Sequence, residues 1–108
     1  MSKYHSKKTV VDGIEFASRK EASRYIELKL LERAGKITGL VLQPIFILQE
    51  SFDKDNRHYR AITYRADFQY TENGKTVIED VKGFKTKEYQ IKRKLFEKVF
   101  QDYTIREI

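Results

Sequence analysis

The stretch "YRADFQYTENGKTVIEDVKG", Tyr64 to Gly83, constrains the fold more than any other part of the chain, because Asn73-Gly74 stands at its centre. An Asn-Gly pair between alternating apolar residues signals a hairpin with a two-residue loop, and such a loop fixes the register of both strands. The strands read as Ile62 to Tyr70 and Thr76 to Lys82. Asp67 stands six residues before Asn73 and Asp80 six after Gly74, so this register sets the two aspartates opposite each other. Opposed side chains of an antiparallel pair have Cβ atoms ~4.5 to 5.5 Å apart and share one face. Lys82, two residues on, shares it as well. The other face carries Ala66, Phe68, Tyr70, Val77 and Val81, together with Glu79, for which pairing with a basic residue is the expectation.

Two ionised carboxylates about 5 Å apart repel by roughly 3 kcal/mol at an effective dielectric near 20. Two resolutions are open. One is a solvated sheet face with a surface ion pair. The other is a divalent cation bridging Asp67 and Asp80. Mg²⁺, with Mn²⁺ as a substitute, favours one or two carboxylates completed by water and phosphate oxygens. The Val81 carbonyl is a further candidate ligand. Lys82 is placed to stabilise charge developing on a phosphate, or to orient or deprotonate an attacking water.

Upstream, Thr9 to Phe16 reads as a small hairpin around Asp12-Gly13. A helix follows over "KEASRYIELKLLERA", with Ser18 as N-cap, Glu21 completing an S-x-x-E capping box and Gly35 just past the end. Glu21 has two readings: the capping residue, or an inward-facing acid in line with Tyr25 and Leu28 that joins the metal ligands. The apolar residues of this helix cover more than one stripe, so a second side is available to a partner chain.

Leu40 to Leu48 reads as a strand in which Pro44 marks an edge or a bulge. Gln49 to Arg60, "QESFDKDNRHYR", reads as a mobile polar loop. Its "DKDN" lacks the glycine and the glutamate of a calcium loop. After Gly83, "KTKEYQIKRKLFEKVFQDY" is a basic amphipathic helix with Ile91, Leu95, Phe96, Val99 and Phe100 as its apolar side, and "YTIREI" is β-prone enough to return as a last strand. His5 and His58 have no metal-ligand spacing and read as exposed.

These elements amount to one domain over 1–108, of mixed α/β (α+β) class, in the order hairpin, α, β, β, β, α, β. A net charge of +6 biases the partner toward a polyanion. The absence of cysteine removes disulfides, zinc-thiolate sites and cysteine nucleophiles. No apolar run long enough for a membrane span or a secretory signal is present, which leads to the expectation of a soluble, cytoplasmic protein with no membrane partner.

Asp67 followed by Asp80-Val81-Lys82 resembles the motif of the PD-(D/E)xK nuclease superfamily, in which an aspartate on one strand precedes D/E-x-K on the next. More closely, "DGIEFASRKEASRYIELKLLERAGKI", "LQPIF", "YRADF" and "VIEDVKG" resemble a small phage and prophage family of uncharacterised proteins in that superfamily, over nearly the whole chain. Ala66 stands where the motif's name expects proline, and the second acid is Asp rather than Glu.

The resemblance implies a restriction-endonuclease-like core and Mg²⁺-dependent cleavage of DNA in a bacterial host. In that reading Asp67, Asp80 and Glu21 are metal ligands and Lys82 is the catalytic lysine. Lys85, Lys87, Lys92 and Arg93 of the second helix, with Arg57 and Arg60 of the loop, are candidate DNA contacts. Cutting two strands calls for two sites, hence a homodimer, and a Holliday-junction resolvase of phage recombination or packaging fits by analogy. The alternatives are a non-catalytic DNA-binding or assembly subunit, and the nuclease subunit of a restriction or transposition complex.

Overall fold

The computed structural model describes residues 8–81 and 85–108. The chain opens with the expected hairpin: β1 (Thr9–Val11) pairs antiparallel with β2 (Ile14–Phe16) across Asp12-Gly13, both at positive φ. The first helix, α1 (Arg19–Arg33), follows from its caps. Ser18 is extended and its side chain accepts the Glu21 N–H at 3.1 Å. At the other end Gly35, at φ +74°, lets its own N–H reach the Glu32 carbonyl and the Lys36 N–H reach that of Leu31, the Schellman arrangement.

A four-stranded mixed sheet forms the centre, in the order β10 (Thr104–Glu107), β9 (Lys75–Asp80), β8 (Phe68–Glu72), β3 (Thr38–Leu42). The β8–β9 pair has the register that Asn73-Gly74 dictates, running from Glu72↔Lys75 to Phe68↔Glu79. The second helix, α2 (Lys87–Val99), crosses from β9 to β10, which lies parallel to β9 as the last strand. Helices cover both faces of this sheet. On one, Ala22, Tyr25 and Leu28 of α1 pack with Phe68, Tyr70 and Val77. On the other, Tyr89 and Phe96 of α2 pack with Ile78 and Ile105. This architecture is mixed α/β, of the α+β class.

Three expectations are corrected. The run from Leu40 to Leu48 is two strands, β3 and β4 (Ile45–Gln49), which belong to different sheets. Gln43 takes φ +51° and Pro44 cannot donate to a ladder, so the strand bends there. The partner strand breaks at the same level, into β7 (Ile62–Arg65) and β8. Gln43 N–H donates to the Asp67 carbonyl and Ala66 N–H to that of Pro44, fastening the two bends together. The corner moves Tyr64 and Ala66 into the α2-side core, away from Phe68 and Tyr70, so Ala66 does not share a face with them.

Second, Gln49 to Arg60 is not a loop: β5 (Phe52–Lys54) and β6 (Arg57–Tyr59) form a hairpin at the outer end of the β4–β7 pair. Third, α2 turns Tyr89 and Phe96 inward and leaves Ile91 60% and Val99 50% exposed. Ile91, two residues from Tyr89, lies roughly 200° around the helix from it. Phe46 of β4 sets the seam by meeting Phe96 edge-on at 5.1 Å.

Candidate metal centre at the corner of the sheet

Asp67 sits where β7 gives way to β8. Its N–H donates to the Glu79 carbonyl at 3.0 Å, and its Oδ2 accepts the Val81 N–H at 2.6 Å. The side chain thus takes the place that the next ladder bond would fill, and the opposed Asp67–Asp80 pair read from the register becomes a capped strand end. The two aspartates remain neighbours, and the charge of Asp80 acts on Asp67. Asp80 is buried on the α2 side of β9, where the Tyr64 hydroxyl donates to its Oδ2. Burial and that bond to Asp80 raise the Tyr64 hydroxyl pKa.

Glu21 comes from the other direction. The cap at Ser18 starts α1 so that Glu21 falls on its inner side, in line with Tyr25 and Leu28, and its carboxylate is buried. With Asp67 it lines a cavity of about 220 Å³ between the first hairpin and the corner, closed by Ile14, Glu15, Phe16, Leu42 and Gln43. The structure shows the Ser18 half of the capping box, with the Glu21 N–H donating to Ser18 Oγ, and it turns the Glu21 side chain into the cavity that Asp67 also lines.

Desolvation pushes the Asp67 carboxyl up to about 7, with further upward pressure from Asp80 and Glu21, against the downward pull of the Val81 N–H. Crowded carboxylates of this kind fit a cation, since positive charge at the corner would relieve both the desolvation and the mutual repulsion. Among the described residues, no three carboxylate or imidazole groups close into a ready-made cage. A bound Mg²⁺ would accordingly combine one or two of these carboxylates with water and phosphate oxygens. For Val81 the structure gives a role to the N–H, on Asp67. Lys82 lies outside the described residues, as does His5.

The acid next door is a separate case. Glu79 is fully buried on the α1 side and is gripped by Arg24, with Nε at 2.8 Å and a second guanidinium nitrogen at 2.6 Å, and by the Tyr70 hydroxyl. Pairing with a basic residue is what alternation led us to expect.

The candidate DNA contacts divide by charge environment. Lys85 and Arg93 both bind Glu107, each at 2.8 Å, and the Lys85 bond leads in holding the Glu107 carboxyl down at about 2. Their charge is thereby answered within the chain, because β10 brings Glu107 beside α2, which helix periodicity alone does not reveal. Lys92 pairs with Glu88 at 3.3 Å and lines, with Tyr64, Arg65, Thr86 and Tyr89, a cavity of about 240 Å³. Lys87 is exposed at the start of α2, and Arg57 and Arg60 are exposed on the outer hairpin. Ile26 and Leu30, on the outer side of α1, are 46% and 57% exposed.

Sequence reasoning missed Tyr64 and Tyr89 near Asp80 and the outer hairpin. The hairpin had a readable signal: Phe52 and Tyr59 stand three residues on either side of Asp55-Asn56. No helix among the described residues is long and apolar enough to cross a membrane. Among curated proteins, none matches the chain. The whole chain, residues 1–108, matches the family described as "Protein of unknown function (DUF1064)", and it belongs to that family.

Proposed function

We propose that this protein is a metal-dependent endodeoxyribonuclease built on a restriction-endonuclease-like core. The observation that carries the reading is the corner itself: Glu21 of α1 and Asp67 of the β7–β8 bend line one cavity, and Asp80 at the end of β9 lies close enough that its charge, with that of Glu21, presses the Asp67 carboxyl upward. A Mg²⁺ held by Asp67 and Asp80, with Glu21 as the third acid, would lower the pKa of a bound water and offset charge on the scissile phosphate.

The chain's own residues have distinct tasks in this scheme. The Val81 N–H and the Tyr64 hydroxyl fix the two aspartates in orientation, as outer-shell hydrogen bonds do for metal ligands. Glu21, facing the same cavity as Asp67, is positioned to accept a proton from an attacking water. Lys82, two residues beyond Asp80, would stabilise the phosphate in flight. Lys87, Lys92, Arg57 and Arg60 would hold the DNA backbone. Branched DNA is the preferred substrate, because a chain this small has little surface for reading a long sequence.

A second reading, a non-catalytic DNA-binding or assembly subunit, draws support from the strand-capping bond that Asp67 makes to Val81. The experiment that separates them is incubation with Mg²⁺ or Mn²⁺ and labelled four-way junction, linear duplex and single-stranded DNA, alongside Asp80→Asn and Lys82→Ala. Paired nicks in the junction that both variants lose would support the resolvase form of the proposal. Cleavage of every substrate alike would keep the nuclease and remove the resolvase. Binding without cleavage under either metal would favour the subunit.

A further inference from the structure

We infer that the outer hairpin β5–β6 is a DNA contact whose front face pairs two phosphate-binding cations with an aromatic platform for an unpaired base. The hairpin turns through Asp55 and Asn56, at φ +52° and +60°, the two positive values that a type I′ turn requires. Its register is Phe52↔Tyr59, Asp53↔His58, Lys54↔Arg57. Opposed residues share a face and successive ones alternate, so Phe52, Lys54, Arg57 and Tyr59 stand together on the front. Asp53 and His58 stand on the back, bonded to each other at 2.8 Å.

This sorting separates the charges. The acid of the ribbon strands is occupied on the back, while Lys54 and Arg57 enter no ion pair among the described residues. Two like charges directly opposite each other weaken a cross-strand pair. Here they sit at the exposed tip of a chain of net charge +6, where an external anion relieves them.

The aromatic pair joins the two strands and still presents ring surface outward. Phe52 and Tyr59 stack at 4.8 Å and 11°, yet remain 43% and 40% exposed. Among the described elements, β5 and β6 pack on each other alone. Rings presented beside unpaired cations match a ligand that is both anionic and planar, which is a DNA strand with unstacked bases. The ribbon runs from this tip through β7 to the corner at Asp67, so a strand held at the tip is led along the ribbon toward the acids. The inference rests on the nuclease reading for DNA as the partner, and it places the branch-recognising surface outside the acid corner.

Binding of the whole protein to labelled single-stranded, duplex and four-way-junction DNA, measured by fluorescence anisotropy in EDTA to prevent cleavage, tests this. Lys54→Ala/Arg57→Ala is expected to weaken all three by about tenfold and to flatten the salt dependence on duplex by about 1.8 in log–log slope. Phe52→Ala/Tyr59→Ala is expected to weaken single-stranded and junction binding about tenfold and duplex binding less than about twofold. Asp53→Ala/His58→Ala, on the back, is expected to change each by less than about twofold. Because no other described element packs on β5 and β6, the melting temperatures of all variants should stay within a few degrees of the wild type. Normal binding by both front-face variants, an equal loss from the back-face variant, or no DNA binding by the wild type would each overturn the inference. The two proposals fail separately: front-face losses in a wild type that never cuts keep the ribbon and sink the nuclease, and cutting with intact front-face binding does the reverse.

Discussion

Glu79 and Asp80 are consecutive on β9, both buried, and point to opposite sides of the sheet. On the α1 side, Arg24 answers Glu79 with two short hydrogen bonds and Tyr70 adds a third, so the charge is balanced within the fold. On the α2 side, Asp80 meets Tyr64 and the neighbouring Asp67, whose carboxyl is driven up to about 7. One acid carries its counter-ion in the sequence. The other lies beside a second acid, and the difference shows that burial of an acid alone does not mark a site.

The contrast is broken most severely at Glu79. Glu79→Gln leaves the Arg24 guanidinium without its partner, and chemical denaturation should report a loss of about 3 to 5 kcal/mol. If the loss were under about 1 kcal/mol, Glu79 would not be the structural acid described here.

Next in size is the pH response of the metal-free protein. The Asp67 carboxyl is raised from its ordinary 3.8 to about 7, so its contribution to stability is full below about pH 4 and is lost as pH rises through 7. Metal-free protein should therefore lose on the order of 2 kcal/mol between pH 5 and pH 8, and Asp67→Asn should flatten that slope. Glu107 acts in the other sense: held at about 2, below its usual 4.5, it contributes above pH 4.5 and ceases to as pH falls toward 2. The two windows meet only near pH 4 to 4.5, so a pH scan of melting temperature separates them.

Asp80→Asn should move stability in the opposite direction from Glu79→Gln, gaining about 1 kcal/mol without metal by removing a repulsion. Added Mg²⁺ or Mn²⁺ should raise the melting temperature of the wild type and leave this variant unmoved. A metal-induced rise that persists in Asp80→Asn would place the cation elsewhere. The smallest effect belongs to the outer ribbon, where Phe52→Ala should cost less than about 1 kcal/mol, since its ring stacks on Tyr59 and remains 43% exposed.

What the sequence by itself determined about this protein is its local geometry. Ser18 and Gly35 bound α1, and Asn73-Gly74 fixed the β8–β9 register, because capping and two-residue turns act over a few neighbouring residues. The register brought Asp67 and Asp80 into one neighbourhood and helix periodicity turned Glu21 inward, but that α1 lays Glu21 beside Asp67 is a matter of packing. Only the tertiary structure decided the corner. Gln43-Pro44 and Ala66-Asp67 lie 22 residues apart in the chain, and hydrogen bonds between the two bends turn apparently continuous strands into separate sheets. The same holds for Arg24 on Glu79, 55 residues away, and for Lys85 and Arg93 on Glu107. Which charge meets which depends on how helices lie across a sheet, and residue spacing within one element carries no record of that.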